Sequence, residues 1–467
     1  PTSTRWPATS ALTPPPARLP PSLRSPQGEG RTYAVEDLEG RHDGPGACLA
    51  AVGLLLVPAA RAQDDDAVQA HEEDKHDWTV KWSNGHKMDK DGGEFKLKFG
   101  GRIQADYIFA SQNEDFDQAL GEDAFQNGFE FRRARLFFEG TIYDNIKFKA
   151  QYDFAGGDAD FKDVWIQVAG IKFGHFKEFM SINEITSSKY LAFNERALPV
   201  EFFSPSRNSG VGYTSGNDNV TWGLGYFYDA DDFGVSIDQD RTNFTGRFVY
   251  RPVYEDAGRS LFHVGGAFTA KQIEDGGSLR FRGRPGNHFG PRPVDTGGNP
   301  ADDATVLELE RAGVANRFWY AGEYYTVDVS TPSGLEPGEV LMGDPTLDGW
   351  YAQAGFYLTD DYRRYKTSSG AWDRQKPGAN FGSGEGSGAW EIAVRYAEVD
   401  LSEATNPGEI SNLSLQLNWY LNPATRIMLG YVLTEVDGVP GIDEDGEPFP
   451  SFNGELDSIL LRFQVDF

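Results

Sequence analysis

The stretch LRFRGRP sets Arg280, Arg282 and Arg284 at alternate positions, with Leu279, Phe281 and Gly283 between them. On an extended chain such guanidinium groups share one face about 7 Å apart, an unfavourable row unless an anion or carboxylates lie along it. The stretch itself carries no acidic residue. Guanidinium forks grip oxyanions bidentately, and several moderate sites in a row let an ion leave as readily as it enters. Cations recur with the same alternation at Lys96, Lys98 and Arg102, at Arg133 and Arg135, and at Lys147 and Lys149. For the lysine pairs, cross-strand ion pairing with Glu139, Asp153, Asp163 or Glu323 accounts for them equally well. For the arginine row the anion-binding reading is preferred.

Catalytic patterns are absent. The sequence contains no HExxH, no GxSxG and no GxxxxGK[ST], and its seven histidines are scattered. The chain is therefore read as a non-enzyme that needs no metal or redox cofactor.

The elements that hold these cations are long alternating strands. In FKLKFGGRIQADYIF, Phe95, Leu97, Phe99, Ile103, Ala105, Tyr107 and Phe109 fall on one parity, and Lys96, Lys98, Arg102, Gln104 and Asp106 on the other. The same pattern recurs in ARLFFEGTI, NIKFKAQYDF, NVTWGLGYFY, NFTGRFVYR, FWYAGEYYTV, AWEIAVRYAEV and SILLRFQVDF. Strands of this length, with aromatics near their ends, suit a tilted crossing of a bilayer, and hydrocarbon offers no partner to an open sheet edge. The expectation is an all-β, transmembrane antiparallel β-barrel with its apolar parity toward lipid and its cations toward a wet lumen. Short turns such as YDNI and LNPAT alternate with Gly/Pro/Asp-rich stretches at 284–316, 329–348, 361–388 and 434–456, read as long external loops.

Residues 178–210 break the alternation. Lys189, Arg196 and Arg207 would be the cations of this segment, with Asn194, Ser187 and Ser188 as neutral donors, while Glu184 and Glu195 oppose them. An inward constriction and an ordinary external loop fit it equally at this point.

Bulk composition agrees with an aromatic-rich β protein: the 467 residues include 54 Gly, 33 Phe and 20 Tyr. With 71 Asp and Glu against 43 Lys and Arg, a formal charge of −28 excludes nucleic acid as a partner of the whole surface. The acidity is assigned to solvated loops, because a narrow channel feels the side chains that line it more than distant ones.

No apolar run reaches the roughly 20 residues of a transmembrane helix. ACLAAVGLLLVPAARA, residues 47–62, has the length of a signal peptide and ends in an A-x-A pattern, which predicts cleavage after Ala62. Cys48 precedes the apolar run and is discarded with it. Residues 1–62 are thus a disordered extension plus signal peptide, 63–94 a polar periplasmic lead-in, and 95–467 the barrel.

The ordered set FKLKFGGRIQADY, FRRARLFFEGTIY, KFKAQYDF, FKDVWIQVAGIKFGHFKEF, ITSSKYLAFNERALP, LRFRGRP, GWYAQAGFYLT, GAWEIAVRYAEVDL, LNWYLNP and LLRFQVDF resembles the phosphate-selective porin O and P family of bacterial outer membranes. The resemblance covers nearly all of residues 78–467. It implies a trimer of 16-stranded barrels in the outer membrane of a Gram-negative bacterium, a third loop folded into the pore, and an arginine ladder leading to a lysine-containing constriction. On this resemblance Arg280, Arg282 and Arg284 match the ladder, Ile185–Pro199 the constricting loop, and Phe467 the terminal aromatic that serves as an assembly signal. The function implied is passive, anion-selective diffusion, of phosphate or polyphosphate first. Outer-membrane lipid, small inorganic anions, sister subunits and the assembly machinery are the implied partners. A general porin for sugars or mixed solutes is the alternative, with Trp165 on the lumen parity as a stacking platform; a plugged, partner-binding barrel is another.

Overall fold

The computed structural model describes residues 78–467 apart from 83–84, 91–92, 122–123, 231–236, 275–276, 333–343, 383, 385 and 443–447. The proposed signal peptide and its cleavage point lie outside the described residues.

Eighteen strands share one antiparallel sheet. Two of them, Trp78–Trp82 and His86–Lys90, form an amino-terminal hairpin whose second strand pairs with Lys96–Phe99. The segment read as a polar lead-in thus contributes a hairpin in its described part. The other sixteen form a closed barrel, because the last strand, Pro448–Asp466, pairs with the first, Phe95–Gln112, from Leu456↔Gln112 to Asp466↔Arg102. Closure removes every edge, as a lipid environment demands.

Alternation decides which face each residue takes. On the first strand Phe99, Ile103, Tyr107 and Phe109 are exposed outward, whereas Arg102, Gln104 and Asp106 are buried inside. Tight turns keep one end of the barrel compact. Ala169 and Gly170, both at positive φ, turn the strand Asp160–Val168 into Ile171–Lys177. This end also holds the chain terminus, where Phe467 exchanges backbone hydrogen bonds with Gly101.

Three connections turn inward rather than out. The segment 178–206 carries two short helices, Ile182–Ile185 and Leu198–Phe203. The segment 274–302 contains two small pairings, Ser278–Leu279 with Asn299–Pro300 and Arg282–Gly283 with Val294–Asp295. The segment 358–388 contains a third, Tyr365–Lys366 with Ala371–Trp372. Phe202, Phe203, Leu279, Phe281 and Val294 pack against Tyr325, Tyr351 and Val399 of the barrel wall as one apolar cluster. Ile182, Ala192 and Phe193 join Trp319, Tyr357 and Trp372 in a second. The lumen is therefore not lined by polar groups throughout: part of it is a packed core, since wall residues such as Tyr325, Val327 and Tyr351 face these loops.

Several expectations change here. Residues 278–284 belong to an inward connection and not to a barrel strand. Asp303–Ala315, placed in the loop 284–316, is a barrel strand whose inward parity includes Glu308 and Glu310. The stretch 434–456 contributes to two long strands, Thr425–Ile442 and Pro448–Asp466. Its Gly, Pro and Asp content reads as loop because strand ends that extend past hydrocarbon need no apolar parity. Finally, 361–388 joins Thr346–Tyr357 to Ala389–Asp400 at the end that carries the tight turns, so it is not one of the loops at the opposite end.

Candidate functional site

The barrel encloses a cavity of about 460 Å³ whose lining includes twelve Lys and Arg side chains and three carboxylates, Glu139, Asp163 and Asp373. The wall from the first to the eighth strand supplies most of the cations, and the segments 178–206 and 358–388 supply the rest. The excess is local, since the chain as a whole is strongly acidic.

The cations fall into two groups. Arg135 donates to Asp153 at 2.6 Å, Lys98 lies 3.3 Å from Glu139, Lys149 2.9 Å from Asp163 and Arg207 2.9 Å from the same carboxylate. Of these, Lys98–Glu139 and Lys149–Asp163 are the lysine pairings weighed above. Arg102 differs: it donates to the Ser188 hydroxyl at 2.5 Å and, among the described residues, has no carboxylate partner. Lys172 sits over the Trp165 ring at 4.8 Å, so the aromatic face considered for sugar stacking is covered by a cation.

Arg132 and Arg133 both point inward because a bulge opposite Gln104 and Ala105 inserts one extra residue in the strand Gly128–Ile142. Arg133 donates to Gln104 at 2.9 Å and approaches Glu195 at 3.5 Å; Arg132 grips Glu195 in a fork at 2.9 and 3.0 Å. Arg132 was missed by strict alternation. The signal was present: the outward apolar parity runs through Phe129 and Phe131, then resumes at Leu136 and Phe138 one position out of phase.

The segment 178–206 is fixed to the wall at many points. Glu195 receives Arg132, Arg133 and Arg462. Burial alone would raise its carboxyl, but these guanidinium groups hold it well below the ordinary carboxylate range. Arg196 folds back on its own segment, 2.5 Å from Glu184 and donating to the Glu184 and Thr186 carbonyls. Ser187, Ser188 and Lys189 reach the cavity. Asn194 does not; its side chain is buried and its carbonyl accepts from Arg462. The Lys189 ammonium stands 3.4 Å from Asp466, and burial pushes its pKa down to about 7, offset only in part by that carboxylate.

Other residues singled out by sequence lie elsewhere. Lys96 is 3.6 Å from Asp144, and it lines a separate hollow with Lys147 near the tight turns. Arg280 grips Asp295 at 2.6 and 2.5 Å, and Arg282 lies 3.9 Å from the same carboxylate. The acid that the LRFRGRP stretch lacks thus arrives from the returning arm of its own loop. The Arg284 N–H donates to Glu201 at 3.1 Å.

The profile of the family described as phosphate-selective porin O and P matches residues 97–467. Porin O of Pseudomonas aeruginosa is 27% identical over 421 residues, covering 80% of this chain and 92% of the relative. An uncharacterised protein of Caulobacter vibrioides is 28% identical over 410 residues, covering 83% of this chain and 77% of its own. Among solved structures, an anion-selective porin from Comamonas acidovorans aligns with a TM-score of 0.48 at 12% identity, covering 80% of this chain and all of that one.

Proposed function

We propose that this chain, which belongs to the phosphate-selective porin O and P family, lets small inorganic anions diffuse passively across the outer membrane, with phosphate preferred and short polyphosphate admitted. It is a channel protein of that membrane rather than an enzyme. The observation that carries the selectivity is the lining of the cavity: twelve cationic side chains face three carboxylates in a chain of net charge −28. In a narrow passage walled by low-dielectric protein, the lining decides which ion enters.

In this reading Arg102, Arg133 and Lys189 hold the anion at the narrowest part, with the Ser188 hydroxyl as a neutral donor. Arg135, Lys98 and Lys149, each paired with a carboxylate, shape the wall and its field. Arg280, Arg282 and Arg284 collect anions at the outer mouth. The family relationship also supports a homotrimer and assembly through the terminal Phe467, and the A-x-A pattern at residues 60–62 supports cleavage after Ala62. The general porin is the weaker alternative, because Lys172 occupies the ring face that a sugar would use.

The test is the reversal potential of the purified protein in planar bilayers under a potassium chloride gradient, with and without phosphate. Strong anion selectivity, chloride current blocked by phosphate, and loss of the block in Arg102→Gln with Lys189→Gln support the proposal. Equal permeability to potassium and chloride sinks it.

A further inference from the structure

We infer that Glu308, Glu310 and Glu323 form a buried divalent-cation site, of the hard, oxygen-ligated kind that takes calcium, at the point where two inward segments meet the barrel wall. The inference is independent of which solute the pore passes.

Glu308 and Glu310 alternate on the inward face of the strand Asp303–Ala315, and Glu323 stands opposite Glu310 on Phe318–Ser330. One oxygen from each lies within 4.8 Å of the others, and all are buried, at 2, 2 and 3% exposure. Among the described residues, Arg247, 2.7 Å from Glu310, is the one guanidinium that touches the cluster. Three carboxylates against one guanidinium leave two negative charges, which one divalent cation balances. His263 contributes a ring nitrogen 3.1 Å from Glu310 and serves as a neutral donor.

The second observation is Glu308 itself. Among the described residues, neither of its carboxylate oxygens has a hydrogen-bond partner, although the side chain is buried among the other two acids. Buried polar groups are rarely left so, and a buried charge needs a counter-charge. The other two carboxylates are mostly used. Glu310 accepts Arg247 and His263 on one oxygen and the Ile182 N–H on the other at 2.6 Å. Glu323 accepts the Asn183 N–H and the Tyr351 hydroxyl on one oxygen and the Tyr325 hydroxyl on the other. With the Ser181 hydroxyl also bonded to Glu323, Glu310 keeps about one lone pair, Glu323 at most one, and Glu308 about four. A bidentate Glu308 with one oxygen from each neighbour begins the oxygen shell of a calcium ion, which water completes.

The location gives the ion a consequence. Ile182 and Asn183 open the inward segment 178–206, and Arg247 also donates to the Ser369 and Gly370 carbonyls of the segment 358–388 at 3.0 and 2.7 Å. His263 bonds Tyr365 of that segment at 2.7 Å. A cation here fixes both constricting segments at once.

The experiment uses the purified full chain, stripped with EDTA and titrated with terbium, whose emission nearby tyrosines sensitise. Saturable emission displaced by calcium, weakened at least about tenfold in Glu308→Gln, is expected. Glu308→Asp, which keeps the charge, should retain part of the affinity and serves if the Gln variant fails to fold. In bilayers, EDTA should make the wild-type current noisier and leave Glu308→Gln unaffected. Absence of sensitised binding in the wild type, or binding equal in Glu308→Gln, overturns the inference; the former would mean that protons on the carboxyls, and not a cation, balance the cluster.

Discussion

Arg132 of the second barrel strand and Glu195 of the inward segment 178–206 face each other as a guanidinium fork on a carboxylate, at 2.9 and 3.0 Å. This pair shows how the barrel fixes its constriction. The bulge that turns Arg132 inward places a planar, bidentate donor where the segment presents its acid, and Arg133 and Arg462 complete the ring of cations around it. The acid therefore serves the loop's position and leaves a positive excess, because Arg132, Arg133 and Arg462 outnumber Glu195 and the Asp106 that also pairs with Arg462.

Removing Arg132 should loosen the segment without abolishing the barrel. Arg132→Gln leaves Glu195 two guanidinium partners, and we expect a loss of about 2 kcal/mol. Glu195→Gln leaves Arg132 and Arg133 without a carboxylate, while Arg462 keeps Asp106, and should cost more, about 3–5 kcal/mol. Denaturant unfolding followed by the heat-dependent mobility shift of barrel proteins measures both. Equal stability of the two variants would show that the ring of arginines does not depend on the carboxylate.

The pairing state of each cation predicts its effect on transport. Among the described residues Arg102 meets only the Ser188 hydroxyl, whereas Arg135 is neutralised by Asp153 at 2.6 Å. Arg102→Gln should lower phosphate affinity about tenfold, as expected for loss of one charge-assisted contact. Arg135→Gln should change affinity little and stability more, because it leaves Asp153 buried without its partner. Phosphate inhibition of chloride current in single channels separates the two; a reversed order would refute this division.

Lys189 gives the pore a pH dependence. Its pKa is pushed down to about 7 by burial, so the ammonium is charged below that pH and neutral above it. Anion selectivity should therefore be highest at pH 5–6 and decline as pH rises through about 7, whereas an ordinary lysine would stay charged and give a flat profile over this range. Reversal potentials across this range, compared with Lys189→Gln, check the sign. A flat wild-type profile would remove Lys189 from the account.

The arginines of the outer mouth should act on arrival rather than on binding. Arg280 and Arg282 share Asp295 and remain about half exposed, with side-chain exposures of 51 and 43%. Changing Arg280, Arg282 and Arg284 together to Gln should lower conductance in dilute salt and have little effect near 1 M, where the screening length is about 3 Å. Conductance measured over a salt series decides it, and an equal loss at all concentrations would place these residues in the binding site.

What the sequence by itself determined was the face of each strand. Period-2 alternation, written in residues such as Phe99, Arg102, Ile103 and Gln104, gives a long sheet with one lipid face and one polar face, and the lack of any partner for an edge in hydrocarbon makes it close. A break in that alternation marked 178–210 as irregular but fitted an external loop as well as an inward one, and the phase slip at Arg132 was present but escapes strict alternation. Tertiary structure decided the rest. No local signal pairs Glu195 with Arg132, or Asp295 with Arg280, since each carboxylate arrives from a separate arm of the chain. Nor does composition reveal that 358–388 folds inward from the end with tight turns, or that Asp303–Ala315 crosses as a strand with Glu308 and Glu310 inside. Alternation reports only which way a side chain points; which neighbours meet it there depends on closure and on the loops that fill the barrel.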